Sequence, residues 1–139
     1  MKLRNAFLCL ALAALLPAVA RAEVVVVVSA NSPVTSLTAA QASQIFLAKS
    51  VTLPGGGAAT PIDIANGPLR DEFYAKVTGK DAAQLKSYWA QLTFTGKAKP
   101  FRQAPSAAEA KKLIAASPSA IGYLAPADVD SSVRVVLKP

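Results

Sequence analysis

The stretch EVVVVVSA, residues 23–30, indicates the layer architecture of the fold. Its five successive valines show none of the alternation between apolar and polar residues that a strand with one face in water requires. An unbroken apolar run of this kind is typical of an inner strand whose sheet is covered on both faces. The stretch therefore predicts an α/β protein in which helices and a sheet form separate layers.

Helix signals follow this strand directly. Thr38, with Gln41 three residues on, has the pattern of a capping box and predicts a helix over residues 39–49. Within it, Ile45 and Phe46 stand at helical spacing and are expected to face the sheet. The glycine- and proline-rich residues 53–61 then predict a loop.

The rest of the chain alternates between the two kinds of element. We predict further elements over these ranges: a strand at 61–65, helices at 67–77, 81–94 and 106–114, and strands at 120–124 and 133–137. The last of these helices opens on a second capping-box pattern, Ser106 with Glu109. The order β-α-β-α-α-α-β-β, with about four strands, predicts a layered α/β sandwich with a mixed sheet.

The first 22 residues, MKLRNAFLCLALAALLPAVARA, have the three parts of a secretory signal peptide. A basic start at Lys2 and Arg4 precedes an apolar run, and an A-x-A cleavage pattern ends at Ala22. The apolar run is shorter than the roughly 20 residues that span a bilayer. We therefore expect a signal peptide at 1–22, a single exported domain at 23–139, a periplasmic location, and no membrane insertion after cleavage.

Charge and composition narrow the possible functions. Loss of the three basic residues of the signal peptide lowers the net charge from +7 to +4. The densest basic group that remains is Lys97, Lys99 and Arg102, which we interpret either as a solvated loop or as a contact for an anion or a partner. No aromatic-rich basic motif of the nucleic-acid-binding kinds is found, so no nucleic-acid partner is expected.

The chain has few residues suited to catalysis. It contains no histidine, and its one cysteine, Cys9, lies in the signal peptide. A nucleophile with a base to activate it and the usual metal-ligand sets cannot then be assembled, so we expect no enzymatic activity and no cofactor. Asp128 and Asp130 could lie near a cation, but a turn before the last strand is the simpler interpretation.

Residues 61–73, PIDIANGPLRDEF, lead from a strand into a helix, and this arrangement suits an anion. The free amides at the start of a helix, together with the positive end of its dipole, attract negative charge. Asn66 or Gly67 could cap the helix, and the guanidinium of Arg70, in the first turn, could close on an oxyanion.

The same residues also fit a helix start with a purely structural role. Pro68 has no amide hydrogen to donate, although proline suits the first helical position. Asp71 and Glu72 place negative charge in the first turn, where it would repel an anion, and no hydroxyl lies between Ile64 and Arg70. The residues alone leave both interpretations open.

Several segments in order resemble one known family, the substrate-binding proteins of phosphate ABC transporters, or PBP-like group. The resemblance covers nearly the whole of residues 23–139. Its patterns are S-L-T-x-x-Q-x-x-x-I-F at 36–46, R-x-x-F at 70–73, Y-W at 88–89 and A-I-G-Y at 120–123. The family's members are two-lobed clamps of about twice this length that hold phosphate between their lobes, so the resemblance implies that this chain has the fold of one lobe.

The resemblance implies a non-catalytic, solute-binding role toward phosphate or another small oxyanion, with an ABC transporter permease or another envelope protein as partner. Where the family has Ser-Gly-Thr before an arginine, this chain has Gly67, Pro68 and Leu69 before Arg70. Only the arginine and backbone amides carry over. The implied site is Arg70 with Asn66 and Gly67, assisted by Ser32 or Thr35 from the first loop.

A second hypothesis is a periplasmic protein-interaction or sensory module that keeps the fold but has lost ligand binding. In that case a surface such as the loop from Lys97 to Arg102 would contact a partner. Pairing of two copies would supply a second wall to the site, but no residue pattern requires it.

Overall fold

The computed structural model describes residues 23–139, in which helices and a five-stranded mixed sheet alternate. The predicted signal peptide, residues 1–22, lies outside the described residues. The strands are β1 (Val25–Ser29), β2 (Thr60–Ile64), β3 (Arg102–Ala104), β4 (Ala120–Leu124) and β5 (Val133–Leu137). The helices are α1 (Ala39–Phe46), α2 (Pro68–Thr78), α3 (Ala82–Phe94) and α4 (Ala107–Ala115), and a short 3-10 helix covers Pro126–Asp128. The predicted α/β class is confirmed.

The sheet has the strand order β3-β2-β4-β1-β5. Strand β2 runs parallel to β3 and β4, whereas β1 runs antiparallel to β4 and β5. All five residues of β1 are buried, as are all five of β4 beside it. The valine run is therefore an inner strand covered on both faces, as its lack of alternation predicts.

Two adjacent residues of β4 show which helices cover each face. At Gly122 a Cβ atom would lie 2.4 Å from Cδ1 of Ile114, so α4 packs closely on this face. Tyr123 points to the opposite face, where its ring stacks on Phe73 of α2 with 4.1 Å between centroids. Phe46 of α1 packs beside the same ring at 6.0 Å. Helices α1 and α2 thus cover the face opposite to α4.

The start of α1 follows the sequence pattern and its end does not. Thr38 caps the helix in a full capping box with Gln41, as predicted. The helix ends at Phe46, three residues before Lys49, and Ala48 adopts a left-handed φ of 57° that no α-helix accommodates. Ile45 and Phe46 are buried against the core, as their spacing predicts.

The segment that leads into α4 differs from the prediction in two ways. Arg102–Ala104 form β3, an edge strand parallel to β2, where the pattern indicates only a basic loop. A three-residue strand with two exposed polar side chains carries no readable alternation. The Ser106 hydroxyl accepts from the Glu109 amide, but the Glu109 carboxylate pairs with Lys112 at 3.3 Å instead of completing a capping box.

We predict that Gly122→Ala destabilises the protein, because the new methyl group would overlap the fully buried Ile114. Overpacking of this kind costs about 1–3 kcal/mol of unfolding free energy, measurable by urea denaturation. Gly57→Ala is the matched control, since nothing lies within 4 Å of a Cβ there. Adding Ile114→Val, which deletes the overlapping Cδ1 atom, is expected to recover part of the loss. A Gly122→Ala protein as stable as the parent would contradict this account.

Candidate functional site

The candidate site lies where β2 ends and α2 begins. The chain leaves β2 at Ile64 and enters α2 at Pro68, with Gly67 as the residue before the helix. Gly67 has a φ of 111°, which side-chain-bearing residues rarely adopt, so glycine is required for this sharp entry. It makes no side-chain cap, and the first amides of a helix have no acceptor within the helix. The amides of Leu69 and Arg70 therefore have no acceptor within α2.

Arg70 is paired with a buried carboxylate, Asp63, near the end of β2. Its Nε and Nη2 atoms both donate to Asp63 Oδ2 at 3.4 Å. These contacts are longer than the 2.7–2.9 Å typical of charge-assisted hydrogen bonds. The Arg70 guanidinium also lies over the ring of Tyr74, 5.0 Å from its centroid. The arginine is thus held by a loose ion pair on one side and by an aromatic face on the other.

Asp63 is the residue that sequence reasoning missed. It is 3% exposed, and its Oδ1 accepts from the Tyr123 hydroxyl at 2.5 Å and from the Ile64 amide at 3.0 Å. The available signal was a lone carboxylate in the apolar strand TPIDI, seven residues before the arginine of the next helix. A carboxylate buried at this depth requires partners, and Arg70 and Tyr123 are those partners.

Two tyrosine hydroxyls lie near Asp63. Burial raises the pKa of Tyr123 far above its ordinary value, and the charge of Asp63 raises it further. Burial likewise raises the pKa of Tyr74, with Asp63 again adding to the effect. The Tyr74 hydroxyl is buried without a hydrogen-bond partner among the described residues. The cluster therefore contains one satisfied hydroxyl and one spare donor.

A cleft of about 340 Å³ opens beside Arg70. Its polar lining consists of Asp63, Arg70, Lys86 and Gln103. Its apolar lining consists of Ala65, Ala82, Leu85, Trp89 and Pro100. The cleft thus extends from the start of α2 along α3 to the segment before β3.

The structure does not bring the five predicted site residues together. Asn66 and Gly67 lie beside Arg70, but Ser32 and Thr35 follow the end of β1. Ile121 of β4 pairs with Val28, near the end of β1, and with Pro61, near the start of β2. The end of β1 therefore lies level with the start of β2.

The loop that contains Ser32 and Thr35 therefore lies at the opposite end of the strands from Arg70. Ser32 is buried, and its hydroxyl accepts from the Val34 amide, whereas Thr35 is exposed. The Ser32 carbonyl accepts from Arg134 at 2.6 Å, so this loop is held by β5. Ser32 or Thr35 could assist Arg70 as predicted only if their loop lay at the same end of the strands as Arg70. The antiparallel course of β1 places the loop at the other end.

The acidic pair Asp128 and Asp130 occupies a turn before β5. Asp128 ends the short 3-10 helix, and Asp130 accepts from the Ser132 hydroxyl and amide. These hydrogen bonds, together with Lys111 at 3.0 Å, lower the pKa of Asp130 to about 2. Within residues 23–139 no three potential metal ligands are grouped together.

Comparisons with known proteins identify the fold. No family model matches the chain, and no curated protein matches it by sequence. Solved structures do match. A candidate phosphate ABC transporter substrate-binding protein from Clostridium perfringens, solved with bound phosphate, superposes with a TM-score of 0.66 at 24% identity. An ABC-type phosphate transport receptor from Vibrio cholerae gives 0.63 at 18% identity, and a candidate phosphate-binding protein from Planctomyces limnophilus gives 0.56 at 15%.

Each of these three matches covers 82% of this chain but only 40–45% of the other protein. The matched part of this chain therefore spans less than half the length of those structures. At these identities the likeness establishes the fold, and the resemblance to phosphate-binding proteins inferred from sequence is confirmed at that level. The coverage fits one lobe of a two-lobed binding protein.

We predict opposite effects for the two tyrosines beside Asp63. Tyr123→Phe removes a hydrogen bond to a buried carboxylate and is expected to lower the unfolding free energy by about 1.5–3 kcal/mol. Tyr74→Phe removes a hydroxyl without a partner and is expected to leave stability unchanged or raise it by up to about 1 kcal/mol. Urea denaturation of both variants measures the difference. Equal losses would show that the Tyr74 hydroxyl also bonds to Asp63.

Stability is also expected to fall as the pH rises above about 10, the ordinary pKa of tyrosine. Both buried tyrosines have raised pKa values in the folded protein, so the unfolded chain releases these protons first and is favoured at high pH. Unfolding free energy measured against pH should decline less steeply in a Tyr74→Phe, Tyr123→Phe double variant. Identical slopes would contradict the burial of these hydroxyls.

Proposed function

We propose that this chain is an exported, non-catalytic, solute-binding-like protein that binds phosphate or another small oxyanion weakly at the start of α2. One observation carries the proposal. Arg70 stands at the mouth of a cleft beside the free amides of a helix start, and only its Nε and Nη2 contact Asp63. The remaining N–H groups of its planar guanidinium are available to a ligand.

The pairing with Asp63 is compatible with ligand binding. If Arg70 turned toward an oxyanion, Asp63 would keep its hydrogen bonds from Tyr123 and Ile64. The spare hydroxyl of Tyr74 would remain near the same carboxylate. Arg70 can therefore be shared between the buried carboxylate and a ligand without leaving Asp63 bare.

The acids of the first turn oppose anion binding only in part. Glu72 forms an ion pair with Lys76, one helical turn on, at 3.3 Å. Asp71 has no such partner among the described residues and is exposed, where solvent screens its charge. With Pro68 lacking an amide and no hydroxyl at hand, the expected affinity is weak.

The alternative of an interaction module without ligand binding is less well supported, because the cleft beside Arg70 offers guanidinium and amide donors to a ligand. The absence of histidine from the sequence supports a non-catalytic role. The neighbours in structure are named for phosphate binding and transport, which supports the ligand class and, less directly, a permease partner.

Export is proposed on the signal-like residues 1–22, and a periplasmic location follows from it. Among the helices of the described chain, none has the length and apolar character to cross a bilayer. The proposed functional unit is then residues 23–139.

Arg70→Gln tests the binding site. Glutamine keeps a donor for Asp63 but removes the positive charge, so phosphate affinity is expected to fall about tenfold or more. Isothermal titration and melting temperature, with sulfate and chloride at matched ionic strength, provide the measurements. For the parent, phosphate at about 100 times its dissociation constant should add roughly 2.7 kcal/mol of stability.

Lys112→Gln is the matched control, because it removes one charge from an exposed position on α4, outside the cleft. Its phosphate affinity should equal that of the parent. If Arg70→Gln binds phosphate as well as Lys112→Gln does, the site is not at Arg70.

A further inference from the structure

We propose that the cleft beside Arg70 takes an organic oxyanion, a phosphate ester or carboxylate attached to a flat apolar body, in preference to inorganic phosphate. This inference rests on the proposed function and specifies its ligand class. The charged group would lie at Arg70 and Lys86, and the apolar body would lie against Trp89.

The size of the cleft is the first reason. Its volume of about 340 Å³ falls within the range of roughly 300–1,000 Å³ found for small-molecule pockets. An inorganic phosphate ion displaces only a few water molecules, each of which takes about 30 Å³ in the liquid. Most of the cleft would stay filled with water if phosphate alone were bound.

The division of the lining is the second reason. Arg70 and Lys86 both contribute cationic side chains, and Lys86 forms no ion pair within residues 23–139. Leu85, Trp89 and Pro100 provide apolar parts of the wall, and Lys86 stands one turn before Trp89 on α3. A pocket that places cationic groups beside an apolar ring is complementary to an amphiphilic anion.

The indole of Trp89 is held in place, which is the third reason. It packs edge-on against Phe101, with 4.8 Å between centroids and an interplanar angle of 75°. Tyr88 flanks it at 6.1 Å and is itself fixed by a hydrogen bond from its hydroxyl to the Leu47 carbonyl at 2.6 Å. A half-buried ring fixed in this way offers a rigid surface, so little side-chain entropy is lost when a ligand packs on it.

Inorganic phosphate fits this cleft poorly for a related reason. Pro68 lacks an amide, and no hydroxyl lies between Ile64 and Arg70, so few donors surround a bare oxyanion. A ligand with an apolar body gains from displacing water at the half-buried Trp89, which an inorganic ion does not. The missing donors are thus offset by apolar contact.

Trp89 also supplies a direct readout, because it is the one tryptophan of the sequence. We would titrate the protein of residues 23–139 with phenyl phosphate, benzoate, inorganic phosphate and phenol, following tryptophan emission and heat of binding. Phenyl phosphate or benzoate is expected to bind about tenfold more tightly than inorganic phosphate and to shift the emission. Phenol, which lacks the charge, is expected to bind much more weakly than phenyl phosphate or benzoate. Comparison of phenyl phosphate with benzoate separates recognition of a phosphate ester from recognition of a carboxylate.

Two variants separate the contribution of the Trp89 ring from that of the Lys86 charge. Trp89→Leu is expected to abolish the preference for phenyl phosphate, because it lowers the calorimetric affinity for phenyl phosphate far more than that for inorganic phosphate. Lys86→Gln is expected to weaken both phosphates several-fold. Phe94→Ala, at a 93% exposed position of the same helix and outside the cleft, is the control and should bind as the parent does.

The outcomes distinguish this inference from the proposed function. Equal affinity for phenyl phosphate and inorganic phosphate would overturn the inference and leave the oxyanion site standing. Phenol binding as tightly as phenyl phosphate would also overturn it, since the cleft would then be apolar without anion selectivity. Absence of binding by any of these compounds would overturn both proposals.

Discussion

The buried carboxylate of Asp63 is the constraint on which the candidate site depends. A charge placed inside a sheet costs several kcal/mol unless partners surround it, and here the partners come from three elements. The strand itself provides the Ile64 amide, β4 provides the Tyr123 hydroxyl, and α2 provides Arg70. One polar group therefore ties the position of α2 to that of the sheet.

This constraint positions Arg70 but leaves some of its N–H donors without a partner in Asp63. The arginine must lie near the end of β2 because Asp63 is there, yet the 3.4 Å contacts leave it only loosely bound. Tyr74, below the guanidinium, limits its other movements. The result is a cation placed in the lining of a cleft by a requirement of the fold, so that stability and the proposed binding would be interdependent at this residue.

Much of the fold could be predicted because it is encoded locally. The valine run indicates a doubly covered strand, and Thr38 marks a helix start that the structure retains with a complete capping box. Strand β3 was missed because three edge residues with exposed polar side chains have no period to read. Local patterns predict elements well where burial or capping dictates residue type, and poorly at a short sheet edge.

The candidate site was predictable only in part, for a topological reason. Asn66, Gly67 and Arg70 are close in sequence, so their proximity needed no knowledge of the sheet. Placing Ser32 or Thr35 beside them required the direction of β1, which its valines do not reveal and which proves to be antiparallel to β4. The partnership of Asp63 with Tyr123 spans 60 residues and likewise exists only once the strands are paired.

The matched parts make up less than half of these phosphate-binding structures, so their architecture has room for a second lobe that residues 23–139 do not provide. A bare oxyanion held from one side keeps much of its hydration and gains little in a medium of high dielectric constant. An apolar body on Trp89 would exclude water from that side without requiring any opposing protein surface. If this chain acts as a single lobe, as the proposed function has it, the composition of the cleft suits an amphiphilic anion better than phosphate alone.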